Sequence, residues 1–140
     1  MRSGEMAWTG LRWLFALFFF ATGVAIATSL LIGWPGLIHQ PTASAQALDN
    51  ALHQSGFMDP LIGASYLVGG TALALRRTAP LGLILLAPTV VVIFFFDTFL
   101  AASAPVGIAV AAIWGILALR HFSAFRGLWS YGLDKPAPPR

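Results

Sequence analysis

The sequence predicts an all-α integral membrane protein, folded as a bundle of four membrane-spanning helices. Apolar residues make up 58% of the 140 positions and charged residues only 9%, whereas soluble domains carry about 25% charged residues. Four nearly uncharged runs approach the roughly 20 residues that a helix needs to cross a bilayer. This composition excludes a soluble globule and a disordered chain, and eight basic residues are too few for a nucleic-acid binding face.

The four runs lie at residues 13–33, 57–75, 80–100 and 105–119. The first run is followed at residues 43–47 by small residues of the type that a signal peptidase reads. However, its apolar stretch is about twice the usual length of a signal-peptide core. We therefore expect an uncleaved membrane anchor.

Polar residues followed by proline mark the starts of the last three runs. Asp59 directly precedes Pro60, and Thr78 and Ser103 each stand two residues ahead of a proline. A carboxylate or hydroxyl can cap the free N–H groups of a first helical turn, where proline is also tolerated. These signals predict that Asp59, Thr78 and Ser103 are helix caps. Pro88 lies inside the third run and is expected to kink that helix.

A short amphipathic helix is predicted at residues 42–54, between the first two spans. Its two faces carry Ala45, Leu48 and Leu52 on one side and Asp49, Asn50, His53 and Gln54 on the other. Such a helix can lie along the membrane surface and cover the bundle, or it can be a docking site for another protein. Residues 1–134 would form one four-span domain, and the Pro-rich residues 135–140 a solvated tail.

The basic residues predict the orientation. They occur only in the two tails and in the connection between the second and third spans: Arg2, Arg12, Arg76, Arg77, Arg120, Arg126, Lys135 and Arg140. Short loops rich in Lys and Arg stay on the cytoplasmic side, so we expect both termini inside and a multi-pass protein of a bacterial inner membrane. The residues expected to anchor the spans at the interfaces are Trp8, Trp13, Trp34, Arg76, Arg77, Arg120 and Trp129.

Small residues at four-residue spacing predict where the helices touch, because helices in lipid associate through close packing. The predicted packing residues are Gly23, Ala27, Gly69, Gly70, Gly107, Ala111 and Gly115. Two interpretations are open. These rows of small residues hold this bundle together, or at least one row of small residues packs against a helix from another protein.

Two side chains within the runs are candidates for binding a cofactor. Asp97 lies inside the third run, and an acid within a span is a functional candidate by default. A rise of about 1.5 Å per residue from Arg77 places Asp97 near the outer boundary, where a solvated helix end is the alternative interpretation. Tyr66 in the second run could hydrogen-bond the edge of a quinone, or it could be a packed tyrosine with a satisfied hydroxyl.

The sequence offers few residues that could bind a metal or act in catalysis. His39, His53 and Asp49 share the predicted outer side and could hold a metal there, although interfacial histidines are usually only solvated. The chain has no cysteine, which excludes disulfides and thiolate sites. No Ser, His and acid fall at one membrane depth, and no pair of carboxylates does either. We therefore expect a protein that is not an enzyme and carries no cofactor.

Three stretches of the sequence resemble those of a known family. They are GGTALAL at residues 69–75, PLGLILLAP at residues 80–88 and IFFF at residues 93–96. Together they resemble the DoxX-like family of four-helix membrane proteins, and the resemblance covers about residues 11–130.

The resemblance implies a four-helix fold and a link to membrane redox assemblies, in which such proteins are often small subunits without a cofactor of their own. Family members usually carry a glutamate where this chain has Tyr66, and an asparagine and a histidine where Val92 and Asp97 align. A chain without that polar interior suits a non-catalytic accessory subunit of a larger respiratory or photosynthetic complex, with lipids and a larger membrane protein as partners. The alternative is a quinone- or lipid-binding protein or a proton-coupled small-molecule transporter.

Overall fold

The computed structural model describes residues 2–33 and 40–129, and within these ranges the chain is helical with no strand. The helices are α1 (Arg2–Ile32), α2 (Ala43–Gln54), α3 (Met58–Ala74), α4 (Ala79–Phe95), α5 (Ala104–Arg120) and α6 (Phe122–Trp129). A π-helical turn (Phe96–Leu100) continues directly from α4. The predicted all-α class is therefore confirmed for the described part of the chain.

The long helices fall on the four predicted runs. Helix α1 begins before residue 13, and α3 nearly fills its run. Helix α5 extends one residue beyond its run at each end, and α4 with the π-helical turn spans the third run. Helix α6 was not predicted. It follows α5 after a break at His121, and its Phe125 packs against the core.

Two stretches of the described chain are long and apolar enough to cross a membrane, Gly4–Ile32 and Ala79–Leu100. Only 22% and 28% of their apolar windows are buried inside the protein. A core helix of a water-soluble protein would be mostly buried, so these helices present apolar side chains outward. Helices α3 and α5 have 17 residues each, which is about 26 Å and slightly less than the roughly 30 Å hydrocarbon core of a bilayer.

The long helices pack in chain order around one apolar core. Helix α1 packs against α3, α3 against α4, and α4 against α5, whereas α1 and α5 share only a small contact. The indole Nε1 of Trp114 donates to the Leu83 carbonyl at 2.9 Å and ties α5 to α4. The most deeply buried large side chains are Phe19, Leu73, Leu83, Leu86 and Leu117.

Glycines bring the backbones of α1, α3 and α4 into direct contact. A Cβ added at Gly82 would lie 2.5 Å from the Leu73 backbone N and 2.9 Å from the Gly69 carbonyl. A Cβ added at Gly70 would lie 2.9 Å from the Phe20 backbone N. Backbone atoms cannot move aside as a flexible side chain can, so only glycine fits at these two positions. Gly82 was absent from the predicted packing residues.

The predicted packing residues mostly face neighbouring helices of this chain. A Cβ at Gly23 would meet Leu67 of α3, one at Gly69 would meet Leu86 of α4, and one at Gly107 would meet Phe94 and Asp97. Ala111 packs against the core, and Ala27 is half-buried. Gly115 differs, because nothing lies within 4 Å of an added Cβ.

The predicted helix caps need correction. Asp59 lies within the first turn of α3 and is not its cap. Thr78 and Ser103 occupy the N-cap positions of α4 and α5, but neither hydroxyl accepts a hydrogen bond from the first turn. Thr78 instead donates to the Ala72 carbonyl at 2.7 Å, because the tight connection brings the end of α3 within its reach. Helix α4 continues through Pro88.

Gly82→Ala should destabilise the protein by about 1–3 kcal/mol, because the new methyl group must push α4 away from the α3 backbone. Gly115→Ala is the matched control, since it makes the same change at a helical position with open space. Its stability should be unchanged or higher by up to about 1 kcal/mol through helix propensity. Thermal unfolding in mild detergent, followed by circular dichroism, measures both variants. Equal melting temperatures for the two would contradict the backbone contact.

Candidate functional site

Charged residues gather at two opposite ends of the described structure. The first, which we name the arginine end, comprises the start of α1, the connection between α3 and α4, the end of α5, and α6. The second, the α2 end, comprises α2, the π-helical turn and the starts of α3 and α5. Among the described residues, Arg12, Arg76, Arg77, Arg120 and Arg126 lie at the arginine end, and Asp49, Asp59 and Asp97 lie towards the α2 end.

A cavity of about 300 Å³ opens at the arginine end, between α1, the connection that follows α3, and the end of α5. Its lining includes Arg12, Arg76, Arg120 and His121, which define what we name the arginine pocket. Glu5 is the acid among the lining residues. The pocket is lined by α1 and α5, two helices that share only a small contact.

Arg12 is the most unusual residue of the arginine pocket. Its side chain is only 8% exposed, and its Nε is buried without a hydrogen-bond partner. Arg76 is close enough to act on Arg12 by charge repulsion. Within the described residues, the salt bridge found is the one between His53 and Asp59, at the opposite end.

The other walls of the arginine pocket are held in place by local contacts. The Arg120 guanidinium lies over the Trp8 ring, 5.5 Å from its centroid, a favourable cation–π arrangement. His121 Nδ1 donates to the Leu117 carbonyl at 2.9 Å, because a carbonyl oxygen can only accept. Two predicted interface anchors, Trp8 and Arg120, thus contact each other, and both are exposed, as are Arg76, Arg77 and Trp13.

The burial of Arg12 could have been predicted from its position on the helix, but this residue was interpreted only as a marker of membrane orientation. Phe15 and Phe19 follow Arg12 by three and seven residues and therefore lie on the same helix face. Both are buried in the core. Arg12 continues this face beyond the core, so its side chain enters the bundle instead of the solvent.

At the α2 end, the chain closes over itself. Thr42 caps α2 by accepting from the Ala45 backbone N at 3.2 Å, and its hydroxyl donates to the Leu100 carbonyl of the π-helical turn. Ala45 is fully buried, and α2 packs on α3 and on the π-helical turn. The amphipathic helix predicted at residues 42–54 is therefore present and covers this end of the bundle.

Part of the predicted metal site lies within the described residues. His53 Nδ1 and Asp59 Oδ2 are 2.5 Å apart, so His53 pairs with an acid that the sequence interpretation had treated as a cap. His39, like Trp34 and residues 135–140, lies outside the described residues, and Trp129 is the last residue of α6. The described ranges contain no group of three His, Cys, Asp or Glu residues that could hold a metal.

Asp97 in the π-helical turn and Tyr66 in α3 interact electrostatically. Asp97 lies in the π-helical turn and is half-buried, and its charge acts on the Tyr66 hydroxyl. The Tyr66 ring packs edge-on against Phe19, with 5.2 Å between centroids. Beside Asp97, the hydroxyl of Thr98 is buried without a hydrogen-bond partner. Single π-helical turns within α-helices are frequent at functional sites.

The chain was compared with known protein families, curated proteins and solved structures. No protein-family model, no curated protein and no solved structure matches the chain. The functional argument therefore depends on the residues and contacts described above.

Asp49 makes the stability of the α2 end dependent on pH. Burial raises the pKa of Asp49 above its usual value, and the nearby Asp59 charge raises it further, while His53 opposes the shift. A carboxyl group with a raised pKa in the folded state contributes stability below its unfolded pKa and loses it as the pH rises through the folded pKa.

Asp49→Asn removes this loss, so the variant should melt at a slightly higher temperature than the wild type at pH 7. The difference should shrink as the pH falls towards about 4, where the unfolded carboxyl group protonates. Melting temperatures of both proteins across this range give the measurement. A difference that does not change with pH would contradict the burial of Asp49.

Proposed function

We propose that this chain is a multi-pass protein of a bacterial inner membrane, with α1, α3, α4 and α5 as its four spans. The observation that carries the proposal is the large apolar surface on the outside of all four helices. Leu17, Val68, Val92 and Ile108 are examples, one from each helix, and each is exposed. Such a surface is unfavourable in water and favourable against lipid tails.

The charge distribution supports an orientation with both termini in the cytoplasm. The five described arginines whose side chains are placed lie at the arginine end, and α2 with its connections carries none. Positively charged connections remain on the cytoplasmic side during insertion. In this orientation α2 covers the bundle on the outer side, and the arginine pocket lies at the level of the inner lipid headgroups.

Within the membrane, we assign the protein a non-catalytic accessory role in a larger complex. Its interior is filled by apolar side chains and by glycine contacts between backbones, so its binding surfaces are on the outside. Gly115 leaves open space on α5. A shallow, mainly apolar groove of about 240 Å³ runs along α3 and α4, lined by Ala64, Ser65, Val68 and Leu85. Small residues of this kind admit a neighbouring helix at short distance.

The resemblance to DoxX-like proteins makes a redox complex, respiratory or photosynthetic, the preferred assembly. The partner would then be a larger integral membrane protein that carries the redox groups. This chain would contribute a packing surface and would fix the position of its helices relative to those of the partner.

A second candidate function follows from Asp97 and Tyr66. An acid within a span whose charge acts on a tyrosine hydroxyl could bind a quinone or lipid, or exchange protons in a small transporter. This function requires the carboxyl group of Asp97 itself. The accessory role requires only that the α2 end keeps its shape.

Extraction from native membranes in a gentle detergent tests the accessory role. The protein should migrate well above its own 14.9 kDa plus detergent, together with a defined set of membrane proteins identified by mass spectrometry and a redox-group absorbance. A lone, monodisperse protein that retains full function would overturn the proposal.

Asp97→Asn separates the two candidate functions, with Asp49→Asn as the matched control at the same end. In the accessory role, Asp97→Asn should at most weaken assembly. Complete loss of transport or of quinone binding in this variant, with the control active, would instead establish the second function.

A further inference from the structure

The arginine pocket holds positive charge that the described chain does not neutralise. Arg12, Arg76 and Arg120 line one cavity of about 300 Å³, and none of them is within 4 Å of a carboxylate of the described residues. Glu5 lies at the pocket without forming such an ion pair. Arg12 is buried, whereas Arg76 and Arg120 are exposed. The repulsion therefore costs most at Arg12, and an anion bound between the three side chains would relieve it.

Of the three arginines, Arg12 is the one whose side chain is buried. Arg12 is more than nine-tenths buried, and its Nε has no hydrogen-bond partner. Buried polar groups in folded proteins nearly always have a partner. The terminal N–H groups of Arg12 are not buried in this way, and Arg12 lines the cavity, so a ligand there can accept hydrogen bonds from them.

The donor set selects the chemistry of that ligand. A guanidinium presents several N–H donors in a planar fork that matches the oxygens of a phosphate. The three arginines come from α1, from the connection after α3 and from the end of α5, so they can approach one tetrahedral anion from different sides. The cation–π contact with Trp8 fixes the position of Arg120.

We propose that the arginine pocket binds the phosphate group of an anionic ligand, through Arg12, Arg76 and Arg120. A phospholipid headgroup and a soluble phosphate compound share this chemistry. This binding site goes beyond the accessory role, because it does not depend on a protein partner.

The test uses the full-length protein in a neutral detergent, freed of bound lipid, with thermal stability measured against ligand concentration. The probes are inorganic phosphate, phosphatidylglycerol and diacylglycerol, which lacks phosphate. Arg76→Gln removes one cation of the pocket. Arg77→Gln is the matched control, because it makes the same change at the neighbouring residue outside the pocket lining.

Phosphatidylglycerol should stabilise the wild type and Arg77→Gln in a saturable manner, while Arg76→Gln should bind it at least about tenfold more weakly. This result with little effect of inorganic phosphate identifies a lipid headgroup as the source. The same variant pattern with inorganic phosphate, and no gain from the lipid, identifies a soluble phosphate compound. The proposal is overturned if both variants respond equally, if diacylglycerol acts as strongly as phosphatidylglycerol, or if neither phosphate probe stabilises the wild type.

Discussion

The contact between helix backbones at Gly70 and Gly82 is the constraint on which the rest of the structure depends. A Cβ at either position would overlap backbone atoms of the neighbouring helix, so α1, α3 and α4 approach more closely than helices that interlock large side chains. Close backbones leave little room between the helices, and many of the large apolar side chains therefore lie outside. An outer surface of this kind is favourable against lipid tails, and it supports the membrane location proposed above.

Confining polar groups to the ends of the bundle has different consequences at the two ends. At the α2 end, Thr42 donates to the π-helical turn and His53 pairs with Asp59, although the hydroxyl of Thr98 is buried without a partner. At the arginine end, the buried Arg12 has no such partner. The α2 end is therefore closed by the protein itself, and the arginine end is suited to a ligand.

The sequence was sufficient to predict helices α1 to α5 and several of the small residues at their contacts, but not α6 or the contacts of Gly82, Asp59 and Arg12. The lengths of the apolar runs located α3, α4 and α5, and hydrophobic periodicity located α2, because these signals are local. Gly82 was missed because its importance depends on the approach of Leu73 from another helix. Asp59 was misassigned as a cap because its partner, His53, comes from α2. Arg12 was interpreted only as a marker of topology, since its burial depends on how α1 packs.

The side of the membrane on which each end lies tests the central claim most directly. The chain has no cysteine, so single cysteines can be introduced at Ala47 in α2 and at Ser123 in α6, both of which are exposed. Labelling of intact cells with a membrane-impermeant maleimide should modify the cysteine at position 47 and leave the one at position 123 unmodified until the membrane is permeabilised. Modification of both positions from the same side would contradict a chain that spans the membrane between its two ends.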